Sequence, residues 1–167
     1  DLDIVNPYFR TKDSEKDLAA AGIDLISPKF ANSNVDLPAL PAEAYRLVED
    51  KSSFGVMDIG GDDRGAYALG RYVPFILKEN NYRMIFVANK YRALTPTAAD
   101  ALEVMREIEA ACGLKFTDIA NNSHLGNFTD VQTVLDSQDF IKELSELSGL
   151  PVYLTTVRAD LYSEVSK

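Results

Sequence analysis

Asp1-Leu2-Asp3-Ile4-Val5-Asn6-Pro7 is the stretch from which the fold is read. An apolar strand pattern carries two carboxylates two residues apart, then breaks at Asn-Pro, where a strand cannot easily continue. A second stretch repeats the device. In Phe54-Gly55-Val56-Met57-Asp58-Ile59-Gly60-Gly61 an apolar run ends at Asp58 and passes into a glycine pair. Residues i and i+2 of a strand share a face, so Asp1 and Asp3 would lie side by side. Acidic groups at the carboxyl ends of parallel strands are where an open α/β sheet gathers ligands. Hard carboxylate oxygens there suit Mg²⁺, and with it a nucleotide.

The rest of the chain alternates strand with helix. Asp13–Ala21 reads as a helix stopped by Gly22, and Ile23–Ile26 as a short strand. Ser27–Leu40 has no period and is rich in Asn, Ser and Pro; a loop of that length is a candidate for substrate contact. Pro41 opens a helix to about Glu49. Arg64–Leu69 and Val73–Asn80 read as helices, and Met84–Val87 as a central strand covered on both faces. Thr95-Pro96-Thr97 caps a helix in which Ala98, Ala101, Leu102, Met105 and Ile108 recur at helical spacing through Cys112. Phe116–Ala120 is a strand, and Asn121–Phe128 a polar loop. Val131–Leu147 is an amphipathic helix with Val131, Val134, Leu135, Ile141, Leu144 and Leu147 on one side. Val152–Thr156 is the last strand and Ala159–Val165 a short helix. This alternation predicts an α/β fold, a mostly parallel sheet with helices on both faces, in a single domain over 1–167.

Composition narrows the partners. The 167 residues are 46% apolar and 26% charged, with a formal net charge of −9. That balance gives a core of ordinary size and argues against a general nucleic-acid surface. It leaves room for a local basic pocket among Arg64, Arg71, Arg83, Arg92 and Arg158. The one cysteine, Cys112, falls in a helical pattern and makes no internal disulfide, which fits a small core residue in a reducing compartment. No bilayer-spanning run or signal-peptide pattern occurs, so the expectation is a cytoplasmic protein.

Each candidate site residue also has a plain structural reading. Asp1 and Asp3 fit a solvated strand end, and Asp58, like Asp62 and Asp63, a turn or helix cap. Asn121 and Asn122 follow an apolar strand, where an amide offers donor and acceptor to the edge of a base; they equally suit a turn with left-handed backbone. His124 reads as an exposed loop histidine. With one histidine and one cysteine a zinc site has no ligand set, and no G-x-S-x-G elbow supports a serine nucleophile.

Taken in order, these segments resemble the ParA/MinD-like family of P-loop NTPases, the CobQ/CobB/MinD/ParA domain. Asp1-Leu2-Asp3 with Asn6-Pro7 resembles the segment after the P-loop helix. Val56-Met57-Asp58 with Gly60-Gly61 resembles the Walker B strand. Phe86-Val87-Ala88-Asn89 with Thr95-Pro96-Thr97 resembles the strand and capped helix that follow. Ile119-Ala120-Asn121-Asn122 resembles the strand whose terminal asparagine contacts the base, and Val152–Thr156 with Arg158 and Asp160 the last strand and base-side loop.

The resemblance implies ATP and Mg²⁺ as cofactors. Asp3 would act on the water attacking the γ-phosphate, Asp58 and Asp1 would serve magnesium, and Asn121 or Asn122 would read adenine with Arg158 and Asp160 beside them. It implies an ATPase switch with a nucleotide-dependent homodimer as partner state. A CobQ/CobB-type ligase, with Asn32, Ser33, Asn34 and Asp36 holding substrate, and a non-enzymatic scaffold are the alternatives. No G-x-x-x-x-G-K-[ST] occurs in the chain. The expectation is therefore an NTPase-like fold lacking the N-terminal strand-loop-helix. Such a chain would be inactive alone, with an unpaired strand side beside Phe54–Ile59.

Overall fold

The computed structural model describes residues 1–2, 11–27, 42–61 and 63–166. They form two compact units, one of Asp1–Tyr82 with Ala110–Gly113, the other of Arg83–Glu109 with Leu114–Lys167. Asp3, the Asn6-Pro7 break, Asp62 and most of the Ser27–Leu40 loop lie outside the described residues.

In the first unit the expected helices form in short pieces. A 3-10 turn, Thr11–Ser14, runs into α1 (Glu15–Ala20); another, Ala42–Tyr45, runs into α2 (Arg46–Glu49). Two further helices follow, α3 (Asp63–Gly70) and α4 (Val73–Glu79), the latter with Pro74 in its first turn, where a missing N–H costs nothing. Leu2, Ala44, Val48 and Tyr72 form one buried cluster, with Ile26, Tyr45, Met57, Ile59 and Ile76 packed on them. Tyr45 sits against Tyr72 at 5.0 Å between ring centroids and edge-on to Phe75 at 5.8 Å.

Two expected strands are corrected here. Ile23–Ile26 and Phe54–Ile59 are not strands, while the expected Asp1–Val5 strand end lies mostly outside the described residues. A strand exists through successive ladder bonds. Among the described residues, Leu2 N–H donates to the Asp58 carbonyl at 2.8 Å and the Asp1 amino terminus to the Ile26 carbonyl at 2.8 Å. Phe54 and Val56, apolar in sequence, stand in solvent at 103% and 85% relative exposure. The Gly60-Gly61 pair has a packing role. A Cβ on Gly65 of α3 would lie 2.7 Å from the Gly60 carbonyl oxygen, so helix and loop meet backbone to backbone.

The second unit holds a three-stranded parallel sheet in the order β1 (Ile85–Ala88), β2 (Asp118–Asn121), β3 (Val152–Thr155). Ile85 pairs with Asp118 and Ala88 with Asn121; between β2 and β3 the register shifts after Ile119. Between the strands run α5 (Ala98–Cys112), whose last three residues are counted with the first unit, and α6 (Val131–Ser148), followed by a short α7 (Tyr162–Val165). Ala98, Ala101, Met105, Ile108 and Cys112 are all buried, the three-and-four spacing of one helix face. Thr97 caps α5: its hydroxyl accepts from the Asp100 N–H at 3.2 Å, while Asp100 Oδ2 accepts from the Thr97 N–H at 3.2 Å.

Two details depart from the pattern. The buried stripe of α6 is Thr133, Val134, Ser137, Phe140, Ile141 and Leu144, whereas Leu135 and Leu147 face solvent. The stripe keeps helical spacing but runs through two hydroxyls, which apolar periodicity alone does not select. β1 is not covered on both faces, since Val87 is 58% exposed. The four residues of β3, an outer strand of this sheet, are all exposed. No helix among the described residues is long and apolar enough to cross a membrane.

Candidate functional site

The carboxyl ends of β2 and β3 open into an irregular cleft of about 280 Å³. Its base is fixed by ladder bonds that continue past the strands. Asn122 N–H donates to the Ala88 carbonyl at 2.8 Å, and Thr156 N–H to the Asn121 carbonyl at 2.9 Å. Val134 of α6, Asn122, His124, Thr129, Thr156 and Arg158 are among the residues lining it.

The two asparagines part company here, as neighbours on a strand must. Asn121 turns inward: its amide donates to the Ser137 hydroxyl of α6 at 2.9 Å, and its Oδ1 accepts from the Ser123 N–H at 3.2 Å. The residue is 1% exposed, with both ends of the amide satisfied inside the protein. Asn122 lines the cleft. The Thr156 hydroxyl donates to its Oδ1 at 2.5 Å, which leaves the amino end to offer hydrogens.

Arg158 and Asp160 form a two-point pair, Nε to Oδ1 at 2.6 Å and Nη2 to Oδ2 at 2.9 Å. The Arg158 hydrogen bonds hold the Asp160 carboxyl below its ordinary range. Arg158 also reaches the Asn127 carbonyl with Nη1 at 3.5 Å, tying the turn after β3 to the loop after β2.

That loop is held at several points. Asn89, just past β1, accepts from the His124 N–H at 3.3 Å and donates to the His124 carbonyl at 3.3 Å. The Thr129 hydroxyl accepts from Leu125 N–H at 2.9 Å and donates to the Gly126 carbonyl at 2.7 Å. Ser123 Oγ accepts from Lys90 N–H at 3.1 Å, and Tyr91 donates its hydroxyl to the Thr133 carbonyl at 2.8 Å. Burial, with the Asp136 and Asp130 carboxylates nearby, pushes the Tyr91 phenol up. Asp130 then starts α6 with a reciprocal cap, accepting from Thr133 N–H at 2.8 Å while its own N–H donates to the Thr133 hydroxyl at 3.3 Å. Thr133 holds the Asp130 carboxyl low.

Of the sequence candidates, Asn122 and Arg158 thus line one cleft, Asp160 is paired to Arg158, and Asn121 is buried against Ser137. Asp58 and the backbone of Asp1–Leu2 are brought together in the first unit, where the Asp58 carboxylate accepts from the Thr11 hydroxyl. Among the described residues no three His, Cys, Asp or Glu side chains gather as a metal-ligand set. Sequence reasoning passed over Asn89, Thr129 and Thr156 and read His124 as loop surface. The available signal for Asn89 was its place after the apolar run of β1, the place Asn121 holds after β2. Comparison of the chain with protein-family models, with curated proteins and with solved structures finds no significant match.

Proposed function

We propose that this chain is the base-binding part of a ParA/MinD-like nucleotide-binding protein that, when complete, hydrolyses Mg-ATP as a switch. The observation carrying this reading is the cleft at the carboxyl ends of β2 and β3, lined by Asn122 and Arg158. Ligands of open parallel sheets collect at that end of the strands. Asn122 supplies amide hydrogens to the acceptor edge of a base, and the Arg158 guanidinium supplies a flat cationic surface on which a ring can stack. Asn121, spent on Ser137, acts as the post on which Asn122 stands. By the resemblance, Asp58 and Asp1 serve magnesium with hard oxygens, and Asp3 acts on the attacking water.

The test is a titration of adenosine, then Mg-ATP, into the protein while its amide resonances are followed by NMR, which reads millimolar affinities. Shifts centred on Asn122, Thr156 and Arg158, weakened by Asn122→Ala, support the reading. Binding that leaves these three resonances unmoved rejects it.

A further inference from the structure

We propose that His124 reads the purine, donating its Nε2–H to a ring nitrogen of the base. The proposal rests on the nucleotide reading of the same cleft and adds to it a selecting residue. Gly126 N–H donates to His124 Nδ1 at 3.1 Å. A backbone N–H only donates, so Nδ1 is the accepting nitrogen and the neutral ring carries its hydrogen on Nε2. His124 lines the cleft, and the ring hydrogen left to offer a ligand is that N–H.

The loop holds the backbone of His124 at several points before any ligand arrives. The single side-chain amide of Asn89 bonds both the N–H and the carbonyl of His124, each at 3.3 Å. Thr129 closes the next turn by bonding Leu125 N–H and the Gly126 carbonyl. A donor held this way loses little freedom on binding. Asn122 beside it has its carbonyl end engaged by Thr156 and presents its amino end. The cleft thus offers hydrogens to acceptors. Adenine supplies ring acceptors at N1, N3 and N7. Inorganic phosphate supplies acceptors too, and the experiment separates the two.

Protein labelled with ¹⁵N-histidine is titrated with adenosine, with its 1-deaza, 3-deaza and 7-deaza analogues, and with inorganic phosphate. The free protein should show the Nε2–H tautomer of His124, and adenosine should shift Nε2. One analogue should fail to shift it and bind about two- to tenfold more weakly, the worth of one neutral hydrogen bond. In His124→Ala, adenosine and that analogue should bind alike. An Nδ1–H tautomer, equal binding of all three analogues, or a matching Nε2 shift with phosphate alone would each overturn the proposal. If adenosine moves Asn122, Thr156 and Arg158 but not His124 Nε2, only this inference falls. If it moves none of them, the nucleotide reading falls as well.

Discussion

The Asn121 amide donates to the Ser137 hydroxyl at 2.9 Å, and both residues are buried. Ser137 passes its own hydrogen to the Val134 carbonyl at 2.7 Å, so strand β2 is tied into the second turn of α6 by a closed polar chain. Asn121→Ala removes the donor to Ser137 and the acceptor of Ser123 N–H and leaves a small void. A loss of about 2–3 kcal/mol in urea unfolding is expected. Asn122→Ala, one residue on, should leave stability within about 0.5 kcal/mol and act on ligand binding instead. Equal destabilisation by the two changes would mean that the inward and outward roles are not divided this way.

That division shows what the sequence could tell. Apolar spacing located α5 and α6 and the three strands of the second unit to within a few residues, because burial of one face imposes the period. The same spacing misassigned Leu135 and Leu147, since the buried face of α6 runs through Thr133 and Ser137, hydroxyls that apolar periodicity does not select. It also predicted a strand at Phe54–Ile59, which is not one, because a strand exists through its partners and an apolar run alone does not supply them. The Asn121-Asn122 pair was legible as a candidate, but which member lines the cleft depends on the phase of β2. The tautomer of His124 depends on the turn that brings Gly126 N–H to it, and no spacing encodes that.

Gly65→Ala tests the glycine pair as packing. The new Cβ would meet the carbonyl oxygen, Cα and nitrogen of Gly60 at 2.7, 2.8 and 2.9 Å, all backbone and unable to swing aside. A destabilisation of about 1–3 kcal/mol is expected, despite the better helix propensity of alanine. An unchanged or raised melting temperature would show that α3 and the Gly60 loop separate easily.

In the complete protein, Asp3→Ala should abolish ATP hydrolysis while leaving nucleotide affinity nearly unchanged, as expected for a group acting on the attacking water. Asp58→Ala should weaken binding in the presence of Mg²⁺ and have less effect in EDTA. Turnover assays with equilibrium binding in both buffers separate the two. Survival of binding and turnover in both variants would remove the ParA/MinD-like assignment of these carboxylates.

Acid stability carries a sign that can be checked. Hydrogen bonds from Thr133 hold Asp130 below its ordinary range, and those from Arg158 do the same for Asp160. A carboxyl whose folded pKa lies under its unfolded value of about 3.9 stabilises above that value and loses the contribution as pH falls through the folded one. The doubly substituted Asp130→Asn, Asp160→Asn protein should therefore lose stability less steeply than wild type below about pH 4. Both groups are open to solvent, so the difference in slope should be small and shrink further in high salt. Urea midpoints from pH 6 to 2.5 measure it, and parallel curves would show that neither pairing contributes.

The Thr156–Asn122 contact makes the sharpest separation between folding and recognition. The Thr156 hydroxyl donates to Asn122 Oδ1 at 2.5 Å, whereas the Thr156 backbone N–H donates separately to the Asn121 carbonyl at 2.9 Å. Thr156→Val keeps shape, strand propensity and the backbone bond, and deletes only the hydroxyl. The side chain is exposed, so stability should move by no more than about 0.5 kcal/mol. Released from the hydroxyl, the Asn122 amide is free to turn its carbonyl toward the cleft, and adenosine affinity should fall by about two- to tenfold. Thr156→Ser restores the donor and should restore binding. A Thr156→Val protein that binds adenosine as wild type does would show that Asn122 needs no orienting partner. One that loses stability instead would place Thr156 in the architecture of the sheet.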